Sequence, residues 1–572
     1  MPKTSTEISF GLIDVAAKQS VTATCDDKQD FVKMDDFALD GVYPPQVATL
    51  EKDYWRLDGL FDVFPDRPDL ISWGLWSKSM CGADGVFTNP IVLDLSFTGL
   101  HSSIGVSFEF NPYGEDWCND LNIKWYKNST LLYNLDFQPD RWNYSAMQAV
   151  ENFNHIIVTF RSMNNPYRFL KLQNVIYGIL KYFRNSEIVD GSVTEEVDIT
   201  GASLPYNEMD FTVRSETDEF NIFNPQGVYS LLQRKQQLSV LSFIDSIRVF
   251  WGIFYVDEIK MNDDRTLKIS AFDGVGIMDN TYFNGGIYNN KNALELIDEI
   301  MDSAGFAYSI DESLTTKTVT GYIPYGTHRD ALQMVAFAIG AFVDTSRTGT
   351  IQVLVIPDLS VEPDIKLGLD RQIVGGTVNY SELVTGVDVT AYTYSTAPRT
   401  SEDGSRIDPS EVYKGALAVG DNLIQFSSPI EVDTLKTSNG TIKEKGNNYC
   451  IITSNTAVAE ATLTAYQYVQ SKKIFSYRAE EVPAGEKENV MSVSRCTTIN
   501  NSNAMAVAKY IYDVQQYRIE QKFSVVPLEG KERPSVAVAV QNEYNEYRNA
   551  VIEQTQTDLY DGLLTQISTK GV

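Results

Sequence analysis

Apolar and polar positions alternate along much of this chain, which is the mark of half-buried β-strands. Ile91, Leu93, Leu95 and Phe97 alternate in this way, as do Ile104, Val106, Phe108 and Phe110, and the run from His155 to Phe160 closes the series. Loops such as Asn111–Asp116 separate these strands, and no helical period precedes Asn165. Residues 1–178 are therefore expected to form a β-sandwich or jelly roll. A second alternating block covers residues 179–288. Its strands are expected at Val193–Ile199, Met209–Val213, Ser239–Phe243, Val249–Ile259 and Thr266–Phe272, with a polar turn at Asn262–Arg265 between the last two.

From residue 291 the period lengthens. Ala293, Leu296, Ile297, Ile300 and Met301 share one face, Glu295, Asp298, Glu299 and Asp302 the other, and Gly305 stands where a C-cap glycine would. A second helix is expected to start at Thr327, capped in the manner of a Thr and Asp pair, and to run through Leu332, Val335, Ala336 and Ile339, with a strand following at Thr350–Ile356. Residues 289–372 thus read as a small α+β domain. Strands return at Gly376–Ser381 and Val387–Thr393. The polar, turn-rich stretch 400–490 reads as an insertion carrying one helix, Ala457–Gln470. Strand Val490–Thr497, helix Ala504–Tyr517 and strands Ser535–Val540, Ala550–Thr555 and Leu563–Ser568 finish the chain, so 373–399 and 491–572 are expected to make one discontinuous β unit. A strand, polar turn, strand pattern within Trp251–Ser270 has a loose counterpart in Arg548–Ser568, without any run of identity. The fold class is mainly β with α+β parts, in several domains.

Composition sharpens this division. The chain has 572 residues, which at roughly 150 per domain is about four domains. Six of its seven tryptophans fall in the first quarter, setting that segment apart. Lys and Arg number 47 against 76 Asp and Glu, a net charge of −29, which disfavours a sequence-specific nucleic-acid reader. Five scattered cysteines without CxxC spacing suggest reduced thiols and neither a disulfide framework nor a metal site. The first twenty residues lack a basic start followed by an apolar run, so synthesis is expected to end in the cytosol. Leu238–Val256 carries Asp245 and Arg248 and Ala331–Val343 is too short to span, so no stable membrane insertion is expected.

Candidate chemistry is sparse. His101, His155 and His328 occupy a predicted loop, a strand and a helix N-terminus, and GxSxG, HExxH, GxxxxGK[ST] and GxGxxG are all absent. No catalytic residue, cofactor or metal is assigned. An acid pair at Glu115–Asp116 beside Trp117 is the best place for glycan hydrolysis. Trp73, Trp76, Tyr113 and Trp117 could stack on sugar rings if they stand on end loops, and would otherwise be packing residues.

From about residue 179 onward the order of elements resembles the hub proteins at the tip of phage and phage-like tails, including contractile-tail baseplate hubs and the N-terminal part of type VI secretion spikes. The resemblance rests on Val249–Ile259 with its following strand, on Gly321–Gln333 and Gly340–Asp344, and on Ile552–Gly562. Trp55–Gly59 and Ser72–Ser77 are similar to galactose-binding-like jelly rolls on such proteins. The resemblance implies residues 1–178 as that jelly roll and 179–288 as a first tube-like barrel. It further implies 289–372 as the α+β domain, 373–399 with 491–572 as a second barrel, and 400–490 as an insertion. It implies a non-enzymatic virion or tailocin protein whose three copies form a ring between a hexameric tail tube or distal tail ring and a separate spike or tip. A tape-measure protein and baseplate wedge proteins would be further partners. Trp251, Phe254, Val256, Ile259, Val551 and Ile552 would then line the channel. A carbohydrate-binding tail protein and a glycan hydrolase are the alternatives.

Overall fold

The computed structural model describes the chain apart from residues 1–3, 14, 36–46, 55–72, 112–115, 186, 215–222, 224–234, 245–246, 264, 397–408, 484, 527–529, 561 and 572. The protein is mainly β, and it divides into two compact units, Ile8–Phe183 and Met1–Glu7 with Arg184–Val572.

In the N-terminal unit seven strands make one antiparallel sheet. Its spatial order is Leu75–Met80, Phe169–Ile176, Val86–Phe110, Asn143–Met163, Cys118–Lys127 and Thr130–Phe137, with Val21–Thr24 also paired to Val86–Phe110. The alternation in sequence becomes an inner face: Ile91, Leu93, Leu95, Leu121, Ile123, Trp125, Ile156, Val158 and Phe160 are all buried. At ~25 cal/mol per Å² of apolar surface, each such side chain contributes about 1.5–3 kcal/mol. His101 was expected in a loop. It lies within the strand Val86–Phe110, which carries on through shifts in register, and its ring packs on Phe97 and Phe153.

The C-terminal unit contains two sets of five strands. The first comprises β1 (Ile188–Glu196), β2 (Glu208–Arg214), β3 (Gln237–Ile244), β4 (Ile247–Asp263) and β5 (Thr266–Phe272). The second comprises β6 (Gln372–Tyr380), β7 (Ile519–Val525), β8 (Ala537–Gln541), β9 (Tyr547–Asp558) and β10 (Thr565–Gly571). Between the sets, α1 (Ala293–Ala304) begins at Asn292, whose side chain accepts the Glu295 N–H, and ends at Gly305 with φ 77°. α2 (His328–Ala338) is capped by the Thr327 hydroxyl, which accepts the Asp330 N–H at 3.0 Å. Leu296, Ile297 and Ile300 pack with Leu332 and Val335 in one core, beside the sheet Tyr308–Ile310, Ile351–Leu354 and Phe342–Asp344.

Two expectations need correction. The helix expected at Ala457–Gln470 is two strands, Val458–Ala465 and Val469–Arg478. Ala461, Leu463 and Ala465 are buried in alternation, so the period is two, and the alanines that suggested a helix are core positions of a sheet. The second set also draws on less of the chain than expected. Gly386–Ser395 pairs instead with Val469–Arg478 and Val490–Val493 in a separate three-stranded sheet, on which α3 (Ala504–Gln515) packs.

Candidate functional site

The residues singled out for chemistry are engaged in structure. Asp116 is buried, takes Arg168 Nε at 2.9 Å and accepts from Asn165 Nδ2 at 2.7 Å, and burial raises its carboxyl above the usual range. Its neighbour Glu115 lies outside the described residues, as does Tyr113. A second buried pair, Lys171 with Glu51, stands beside it, with Nζ 4.1 Å from the Tyr54 ring centre. Trp76 is in the core, on a strand rather than the expected loop, and Trp73 meets it edge to face at 5.5 Å. Trp117 is half-buried and gives its indole N–H to Pro139 O at 3.2 Å. The three histidines lie apart. His155 Nε2 is 2.9 Å from Asp94, His101 pairs with Ser20, and His328 contacts Thr281 and Ser303. All five cysteines are buried free thiols. No group of three or more metal-ligating side chains occurs among the described residues, and no helix among them is long and apolar enough to cross a membrane.

The distinctive feature is a repeat in the C-terminal unit. The first five strands pair in the order β1-β2-β5-β4-β3, all antiparallel. The second five pair in the order β6-β7-β10-β9-β8, again all antiparallel. The backbones agree in detail. Lys235 and Ser535, each just before the third strand of its set, have φ of 62° and 69°. Lys235 N–H donates to Val256 O and Val256 N–H to Gln236 O. Ser535 N–H likewise donates to Ile552 O and Ile552 N–H to Val536 O. The fourth strand is bulged at the next residue in both sets, at Asp257 between Val256 and Glu258 and at Glu553 between Ile552 and Gln554. Phe211 faces Ile269 as Phe523 faces Ile567. Gly191 and Gly376 lie against these two phenylalanines, where an added Cβ would come within 3.2 Å and 2.9 Å of theirs.

These correspondences fix the register of the whole repeat: Val256 answers to Ile552, Asp210 to Lys522 and Ser192–Glu196 to 377–381. The loose echo between Trp251–Ser270 and Arg548–Ser568 is thus one hairpin of a full five-strand repeat. Sequence reading missed the rest because the matching positions conserve backbone shape rather than residue type. Lys235 and Ser535 share no side-chain chemistry.

The two sets are joined edge to edge within the chain. β1 pairs antiparallel with the second half of β9, Ser192 opposite Asp558 through Glu196 opposite Gln554. This junction is sealed. Val193 and Glu195 are fully buried, Glu195 accepts from Thr555 Oγ1 at 2.7 Å and from Arg347 Nε at 3.2 Å, and the guanidinium lies 4.2 Å from the Trp251 ring centre. Burial raises the Glu195 carboxyl above its ordinary range, and Arg347 opposes that shift. Of the residues expected to line a channel, Trp251, Phe254, Val256, Val551 and Ile552 are buried and Ile259 is half-buried. Phe254 and Val256 alternate with the more exposed Ile253, Tyr255 and Asp257, while the consecutive Val551 and Ile552 point to opposite faces of their strand and pack in two different cores.

No known protein-family model matches the chain, and no curated protein matches it in sequence. Among solved structures it is similar to the tail protein from Neisseria meningitidis MC58, at 12% identity over 68% of this chain and 93% of that one, with a TM-score of 0.41. It is similar also to the prophage MuSo2 43 kDa tail protein from Shewanella oneidensis, at 11% identity over 68% and 94%, with a TM-score of 0.40. A third is the prophage tail protein gp18 from Listeria monocytogenes EGD-e, at 9% identity over 68% and 91%, with a TM-score of 0.36.

Proposed function

We propose that this chain is a structural hub subunit of a phage or phage-like tail tip, with no enzymatic role of its own. The observation that carries this reading is the repeated five-strand set joined edge to edge within one chain. Each chain supplies two equivalent sectors of sheet, so a ring of three chains presents six sectors. Such a ring matches a hexameric tube or distal tail ring on one side and a threefold spike or tip protein on the other. A net charge of −29 per chain keeps the walls of such a ring from holding phosphates, so DNA or a tape-measure protein would slide through it.

A glycan-contacting role for the N-terminal unit draws less support, since Trp76 is in the core and Asp116 is committed to Arg168 and Asn165. A reconstruction of the particle that contains this chain tests the proposal. Three copies around the tail axis are expected at its tip. A copy number other than three, or a position away from the axis, overturns it. Binding of residues 8–183 to host-wall glycans on an array would favour the carbohydrate reading instead.

A further inference from the structure

The first strand of each set has a different fate. In β1 it is sealed against β9, whereas in β6 the outer edge has no paired strand among the described residues. Val378 and Tyr380 answer to the fully buried Val193 and Glu195, yet they are 71% and 65% exposed. An unpaired edge carrying two large exposed apolar side chains is a template for another strand. Arg518 stacks 4.1 Å from the Tyr380 ring centre and holds it in place. The complementary edge is equally well defined. β9 uses its second half, Gln554–Asp558, to receive β1, and the answering half of β4 begins at Glu258. Among the described residues no strand pairs with Glu258, Ile259 or Lys260 on the side away from β5.

We propose that β6 of one copy pairs antiparallel with Glu258–Lys260 of β4 in a second copy, repeating between chains the β1–β9 junction made within each. This rests on the hub reading and deepens it, by naming the strands and register of the contact. Thr194 lies opposite Gln556 and Glu195 opposite Thr555 inside the chain, so Asn379 of one copy lies opposite Lys260 of the next, and Tyr380 opposite Ile259. The hydrogen-bonded Glu195 and Thr555 pair is replaced at this contact by an apolar pair. The apolar pair leaves Tyr380 and Val378 to be buried only on assembly. The two edges differ, so the contact is head to tail, and the threefold rotation of the hub reading closes it into a ring.

The test uses the full chain with paired cysteines and a short bismaleimide cross-linker. T194C with Q556C, the junction within the chain, is expected to cross-link without change in mass and calibrates the chemistry. N379C with K260C is expected to give covalent multimers ending at one closed species. V378D, an exposed site in the single chain, is expected to keep its circular dichroism and melting temperature while its mass in solution falls to that of one chain. Assembly that survives V378D, with no cross-link at 379 and 260, would overturn the strand pairing and leave the hub reading intact. A wild-type chain that stays single at millimolar concentration would overturn both.

Discussion

Glu195 and Tyr380 occupy the same place in two copies of one five-strand pattern, and their surroundings are opposite. The first is fully buried between Thr555 and Arg347, and the second is 65% exposed on the outer strand. Strand order, the bulge and the left-handed residue before the third strand are alike in both sets. What differs is whether a neighbour is present. A repeat inside one chain therefore shows what its unpartnered half would look like once partnered: the β1–β9 junction is a template for an edge that the single chain leaves open. The cost of chain continuity differs as well. The five strands of the first set fall within Ile188–Phe272, while the second is parted between Tyr380 and Ile519 by a stretch with its own sheets. Long connections cost only slowly more closure entropy as they lengthen, so the pairing survives the interruption.

The largest way to separate the two positions is to cut both side chains back. Glu195→Ala strips Arg347 of its carboxylate in a dry junction. Breaking one partner of a buried pair costs about 3–5 kcal/mol, and chemical denaturation is expected to show a loss of that order. Tyr380→Ala, measured in the V378D background so that assembly does not intervene, is expected to change stability by less than about 0.5 kcal/mol, as at other exposed sites. Equal losses at the two positions would mean that β6 is already covered in the single chain.

The bulges give a smaller contrast. Glu553, the bulged residue of β9, has its carboxyl pushed up to about 7, mainly by burial, with Asp198, Glu520 and Glu196 adding to the rise and Lys570 opposing it. The native state therefore holds the proton more tightly than the unfolded chain, and stability falls as pH rises from about 4.5 through 7. Glu553→Gln is expected to flatten that fall and to gain about 1 kcal/mol at pH 8, a figure discounted for the water that reaches a half-buried group. Melting curves of both proteins from pH 4 to 8 check it, with Asp257→Asn on the exposed bulge of β4 as the control. Parallel pH profiles for wild type and Glu553→Gln would remove Glu553 as their source.

How much of this was legible in the sequence depends on the kind of signal. Elements with a strong period were: α1 with its Gly305 cap, α2 from Thr327, and the hairpin of β4 and β5. The run Ala457–Gln470 was misread because small alanines satisfy a helical and a strand period alike, and only the burial of Ala461, Leu463 and Ala465 decides between them. The junction was not legible at all. Glu195 lies 152 positions from Arg347 and 360 from Thr555, and each alone is an ordinary polar residue of an acidic chain. The aromatic residues misled in the other direction. Trp76 belongs to a run, Ser72–Ser77, whose two serines and glycine suggest a loop, yet its strand turns the ring into the core.

The smallest effect is the most exacting test of the repeat. Lys235 and Ser535 are held at φ of 62° and 69°, a region that costs a side-chain-bearing residue about 1 kcal/mol or more, and that glycine enters freely. Replacing either by glycine relieves that strain but adds freedom to the unfolded chain, which takes back a large part of the gain. The gain is read between the alanine and glycine variants of each position, because Ser535 Oγ also donates to the buried Asp344 at 2.6 Å and both of its variants lose that bond. It is expected to be a few tenths of a kcal/mol at each site. Its size matters less than its equality, because Lys235 and Ser535 make the same backbone bonds to Val256 and Ile552 and differ in side chain and burial. The alanine-to-glycine step should therefore shift the denaturation midpoint in the same direction and by the same amount at 235 and at 535, and the two steps together should show their sum, since the sites lie in separate sets. A gain at one site and a loss at the other would mean that the two turns are not equivalent.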